Sequence, residues 1–488
     1  MSTKKIYLFI ILIGVLTATY FIYANIQPEQ YIPSISLGKE EAEERKLFPD
    51  PAFTRYQMGL YLDTNTRILY GNTILNTKNT TGQLMTEIWL TAYPNAFRNA
   101  KETPAPASAY YSGFDPAWLE FQEFKVNGQP VEFFPNGVSV QVILSQDIIP
   151  GSELRIEMNW QAKVPKLAYR YGTKDGIYML GNFYPALNVW DAAGWHNSYN
   201  SLFGDPFCFH CADYEVSFNI PAGYRVVSTG ENMDTIAEDN GREIHIIKAQ
   251  NVRDFCLAVL YDYNESKDEK SRPVVKCYFP NHYNDFSAQV LKQSAEIINY
   301  YACTWGSYPY NDFKVVFVPM KGFHGMEYSG LMFFSEDFLQ PQAYQQRGEF
   351  ILAHEIAHQW WFAMVGNDQL KEPWLDEGLA NWSAYKYLEK YKGIKPPALN
   401  EYADGINLAR EMREIYSTQE YYATAYTGGE AFWFGLEKEM GQETVNKVLR
   451  RYLADYRFNI ACTDDLLQVI KKEAHQDMTD YFAKWFKN

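Results

Sequence analysis

The chain has 488 residues and a formal net charge of −15, so it lacks the basic surface that nucleic acid requires, and its length favours at least two domains. Six cysteines are too few for a disulfide scaffold in a chain this long, and an aromatic content of 17% is assigned to cores and domain contacts, not to a carbohydrate platform.

Ile6 to Ala24 is an apolar run near the length that crosses a hydrocarbon core, and it follows Lys4 and Lys5. Lysines before the span, with acidic residues and glutamine after it, predict a single-pass anchor in the cell membrane, its N-terminus cytoplasmic and the rest of the chain external. The alternative is a cleaved signal peptide and a secreted protein; the length of the run and the bulky Tyr20, Phe21, Ile22 and Tyr23 argue against it. Residues 1–25 are therefore expected to be an anchor or signal segment. Residues 26–48, with the charged stretch Lys39 to Lys46, are expected to form a linker.

From Pro51 to Tyr263 short alternating or β-branched segments recur between Gly, Pro and Asn turns, for example Glu153 to Met158 and Glu215 to Ile220. This predicts an all-β N-terminal domain over residues 49–282. Within it Cys208-Phe209-His210-Cys211 leaves two readings open, a local disulfide or two reduced core cysteines. One histidine and a local cysteine pair are too few ligands for a second metal. After the charged stretch Glu265 to Arg272 and one more strand-like run, helical periodicity takes over near Ser287, with Gln289 to Tyr301 the first long helix. Residues 283–488 are expected to be mainly helical.

The chemistry of the chain concentrates in His354-Glu355-Ile356-Ala357-His358, followed after eighteen residues by Glu377 in Trp374-Leu375-Asp376-Glu377-Gly378. Residues four apart in a helix lie one above the other, so His354 and His358 present two imidazoles to one metal while Glu355 projects beside them. Glu377 from a second helix completes three protein ligands for Zn2+, leaving the fourth tetrahedral position to water, as in a catalytic site. Gly366 is expected to cap the first helix; the second should run from about Leu375 to Lys392 and end at Gly393. The expected reaction is peptide hydrolysis by attack of a zinc-bound water with Glu355 as general base.

These motifs resemble the gluzincin zinc aminopeptidases, the family of aminopeptidase N and leukotriene A4 hydrolase. Gly322-Phe323-His324-Gly325-Met326-Glu327-Tyr328 is similar to the family's G-A-M-E-N stretch, departing from it at His324 and Tyr328. The resemblance implies that Gly325, Met326 and Glu327 bind substrate, Glu327 through the free α-ammonium. Tyr426-Thr427-Gly428-Gly429 looks like the family's tyrosine turn, though Gly428 stands where a basic residue is usual; the resemblance gives Tyr426 the oxyanion role, with Tyr421 and Tyr422 as competitors. Further matches, among them Gly204-Asp205-Pro206-Phe207 and Val252-Arg253-Asp254-Phe255, extend the likeness over roughly residues 50–488. It implies a β-domain before a thermolysin-like catalytic domain, without the C-terminal domains that wall in the active site of many relatives. Peptides with a free N-terminus are the expected partners. A thermolysin-like endopeptidase, an epoxide hydrolase on the same zinc site and a noncatalytic scaffold are the alternatives; the oligomeric state is left open.

Overall fold

The computed structural model describes residues 54–283, 287–396 and 405–486. The expectations for residues 1–25 and 26–48, including membrane contact through residues 6–24, lie outside the described residues. Among the described residues no helix is long and apolar enough to cross a membrane.

Alternation builds the first half. Along Arg55–Asp63 and Ile68–Lys78 every second residue is buried, so each strand turns one face to the core. Both belong to an eight-stranded sheet in the order Glu231–Ala237, Arg242–Val252, Ala212–Pro221, Arg55–Asp63, Ile68–Lys78, Glu153–Lys163, Trp118–Val126 and Gln129–Pro130. Its neighbours pair antiparallel except Arg55–Asp63 and Ala212–Pro221, which run parallel from Arg55 opposite Asp213 to Tyr61 opposite Asn219. Two four-stranded sheets share its core, to which Leu60, Leu75, Ile88, Val142, Trp160 and Phe218 contribute.

A five-stranded sheet follows, in the order Tyr263–Asp268, Val274–Pro280, Asp312–Val318, Leu331–Ser335 and Gly325–Tyr328. Val274–Pro280 pairs parallel with Asp312–Val318, so this sheet runs across the boundary expected at residue 282. By itself Val274–Pro280 reads like one more strand of the β-domain; only its distant partner assigns it. Four helices matter for the site: α1 (Ser287–Trp305), α2 (Glu349–Ala357), α3 (Trp374–Lys392) and α4 (Gly429–Met440). Ile297, Leu352, Ile356, Trp382 and Phe432 from these helices meet in the second core. Gly393 ends α3 in the left-handed conformation, φ 65°, and its N–H donates to the Glu389 carbonyl.

Gly366 is not a helix cap. Helix α2 gives way at His358, and the chain continues through a wide turn over Gln359–Met364 in which Phe362 is extended. The cause is Arg253, a buried residue of the first half, whose guanidinium donates to the carbonyls of Phe362, Ala363 and Met364 and to those of Phe209 and Asn459. A Cβ on Gly366 would stand 2.5 Å from the Arg253 Cζ, so the glycine makes room for this guanidinium. All six cysteines are free thiols, and of the two readings for Cys208 and Cys211 the structure has the reduced one. The Cys211 thiol donates to the Ala363 carbonyl.

Candidate metal centre and substrate cleft

Helix α2 presents His354 and His358 on one face, and the first turn of α3 presents Glu377 to them. All three are buried. The two Nε2 atoms lie 3.1 Å apart, and Glu377 Oε2 stands 3.1 Å from His354 Nε2 and 3.4 Å from His358 Nε2. Tetrahedral ligands about 2.0–2.1 Å from a zinc ion stand about 3.3 Å from one another, so this donor set fits zinc without rearrangement. His358 Nδ1 faces the Trp361 carbonyl at 3.4 Å; donating there leaves the Nε2 lone pair for the metal. Asp376, beside Glu377, accepts from the side-chain amides of Asn367 at 3.2 Å and Gln369 at 2.8 Å.

Glu355 and Glu327 complete a carboxylate-rich pocket. Glu327, Glu355 and His358 carry ligand atoms within 4.8 Å of one another. Burial pushes the Glu355 carboxyl up to about 8, and burial holds Glu327 well above the usual carboxylate range. His358 is moved up although burial opposes it, because the carboxylates of Glu327, Glu377 and Glu355 surround it. Glu377 goes the other way: hydrogen bonds from both imidazoles outweigh its burial and lower it. Such a cluster of buried carboxyl groups ionises fully only where positive charge enters it.

The edge strand Gly325–Tyr328 brings Glu327 to this place. A Cβ on Gly325 would stand 2.1 Å from Glu355 Oε1 and 2.5 Å from its Cγ, so the glycine fixes where that carboxylate sits. Gly325→Ala is expected to keep metal content while lowering kcat roughly 10²-fold, the scale of a misplacement of about 1 Å. Metal analysis beside steady-state kinetics checks this; unchanged kcat would show that Glu355 relaxes freely. Met326 lines the cleft and is buried in a small core with Tyr328 and Phe333.

Tyr426 donates to Glu377 Oε1 at 2.6 Å, and its ring stacks on His354 with centroids 5.8 Å apart. Tyr421 reaches the same oxygen at 3.4 Å, whereas Tyr422 is 45% exposed at the mouth of the cleft. Helices α3 and α4 touch backbone to backbone here, a Cβ on Gly378 falling 2.3 Å from the Gly429 Cα. That approach sets the short bond between Tyr426 and Glu377. The cleft, about 260 Å³, is also lined by Arg170, Asp205 and Phe323. Arg170 and Asp205 form a buried ion pair, with the guanidinium 4.7 Å from the Phe323 ring centroid. Sequence reasoning gave this pair no role; Gly204-Asp205-Pro206-Phe207 entered only as a family-like stretch. A larger surface groove of about 970 Å³, lined by Arg98, Glu120 and Phe133 among others, lies on the β-region and includes none of the metal-ligand clusters found among the described residues.

A mainly β first half thus precedes helices that bring His354, His358 and Glu377 together. Residues 289–485 match the model of the Peptidase family M1 domain. The chain is 24% identical to Aminopeptidase M1-B of Oryza sativa subsp. japonica over 57% of its length and 35% of that protein's. It is 22% identical to Probable aminopeptidase 1 of Sulfurisphaera tokodaii over 76% of its length and 48% of that protein's. It thus spans about a third to a half of the length of these relatives. A crystal structure of an M1 zinc metallopeptidase from Deinococcus radiodurans superposes with a TM-score of 0.61, covering 87% of this chain and 90% of that one at 16% identity.

Proposed function

We propose that the chain is a zinc aminopeptidase that hydrolyses the N-terminal peptide bond of peptides with a free α-amine. The observation that carries this reading is the buried Glu327 carboxylate, set among Glu355 and His358 beside the metal ligands. A peptide α-ammonium entering this pocket recovers its lost hydration from Glu327, and the first peptide bond then lies over the donor set.

His354, His358 and Glu377 would hold the zinc ion. When bound it supplies a Lewis acid that polarises the scissile carbonyl and makes water a better nucleophile near neutral pH. Glu355 is the general base in this reading, supported by an Oε2 that is buried and has no hydrogen-bond partner among the described residues and so can take a proton from water and return it to the leaving amine. The Tyr426 hydroxyl is the oxyanion donor, turning from Glu377 to the substrate oxygen as charge develops. For Tyr426→Phe we expect kcat to fall roughly 10²–10³-fold with a modest change in KM, as for an interaction made mainly in the transition state. Should Tyr421→Phe have that effect instead, Tyr421 is the donor.

Anchoring through residues 6–24, with the catalytic region external, rests on the apolar run and its flanking charges. The test of the activity is a fluorogenic assay of zinc-replete protein on matched aminoacyl and N-acetylaminoacyl substrates. Strong preference for the free amine is expected; internal cleavage of blocked peptides at equal rates would replace this reading with an endopeptidase.

A further inference from the structure

Cys208 has neighbours that its local sequence does not reveal. The fold brings its sulfur together with ligand atoms of His196 and Asp368, all within 4.8 Å of one another, and these residues do not line the cleft. We propose that His196, Cys208 and Asp368 form a second transition-metal site, of the zinc class, which fastens the loop between α2 and α3.

Each ligand is already oriented. His196 Nε2 lies 2.8 Å from Asp191 Oδ2 and Nδ1 2.7 Å from Asp368 Oδ2; with Nε2–H donating to Asp191, a metal ion would take the place of the proton that Nδ1 gives to Asp368. A carboxylate holding the far nitrogen of a ligating imidazole is the usual support of a histidine–metal bond. Asp368 Oδ1 accepts from the N–H groups of Leu370 at 3.0 Å and Lys371 at 3.1 Å, which commits that oxygen and leaves Oδ2 to the cluster. Cys208 is pinned on both sides: the Phe207 carbonyl accepts from the Gln369 N–H and the Phe209 carbonyl from Arg253. Among the described residues the Cys208 thiol has no hydrogen bond of its own, while Cys211 points away to Ala363.

A protonated His196 would satisfy both aspartates and leave this buried thiol without a role; a metal ion uses all three. One nitrogen, one sulfur and one oxygen donor suit zinc, with water as the fourth ligand. Ligand separations around zinc are about 3.3–3.7 Å, so the His196–Asp368 edge, now 2.7 Å, opens by about 0.6 Å and any edge to Cys208 closes by little more than about 1 Å. The competing cation, Lys371, stands 3.7 Å from Asp368 Oδ2 on a side chain that is 39% exposed and can withdraw to solvent. Arg253 is committed to its carbonyls. The consequence for the cleft is positional: Asn367 and Gln369, on either side of Asp368, are the residues that hold Asp376 beside Glu377.

The test uses the full chain purified in the presence of zinc and dialysed against metal-free buffer. About two zinc equivalents per chain are expected for the native protein and about one for the His354→Ala/His358→Ala double variant, with Cys208→Ser removing the remainder in that background. After cobalt loading, a thiolate-to-cobalt charge-transfer absorption should appear in the native protein and in the double variant, because the catalytic donors contain no sulfur. If Cys208→Ser does not fold, the double variant decides alone. Absence of metal from it, with no charge-transfer band in the cobalt-loaded native protein, overturns the site.

Discussion

Glu355→Gln is expected to retain zinc and lose kcat by roughly 10²–10⁴-fold, the usual contribution of a positioned general base. Glutamine has nearly the same shape, so Gly325 still faces it and His354 and His358 stay where α2 puts them. What disappears is the ability to accept a proton. Oε2 has no hydrogen-bond partner among the described residues, so the substitution breaks no bond of that oxygen. The measurement is kcat with metal content determined on the same sample. Turnover near the native value would remove Glu355 from the mechanism, and loss of zinc would make its role structural.

Glu327→Ala should give the second large effect, and a selective one. Removing one partner of a buried charge pair commonly costs about 3–5 kcal/mol, so kcat/KM for free-amine substrates is expected to fall roughly 10²-fold or more. N-acetylated substrates, which bring no positive charge, should be affected far less. The ratio of the two specificity constants is therefore the decisive readout. If both substrate classes lose activity equally, Glu327 supports the geometry of the pocket and does not recognise the amine.

Legibility in the sequence followed separation along the chain. His354 and His358 are one helical turn apart, so the spacing alone says that they face one point; the end of α3 at Gly393 is equally local. The strands of the first half could be read because alternation is a property of each segment by itself. Gly366 misled because a glycine after a helical run is usually a cap, and its actual reason, the Arg253 guanidinium, comes from more than a hundred residues upstream. The ion pair of Arg170 with Asp205 and the meeting of His196, Cys208 and Asp368 were hidden for the same reason. No periodicity records a pairing made only by the tertiary fold. The strand Val274–Pro280 shows the limit for topology: its pattern says strand, and only its register with Asp312–Val318 says which sheet.

Arg253 also determines how the molecule comes apart. Its guanidinium serves carbonyls at Phe209, on its own side of the chain, and at Phe362, Ala363, Met364 and Asn459 in the helical half. Neither half can open without stranding a buried charge and several buried carbonyls in the other, a penalty of several kcal/mol that a local fluctuation cannot meet. The β-region and the helices that carry His354, His358 and Glu377 are therefore expected to unfold as one cooperative unit, in a single transition by calorimetry.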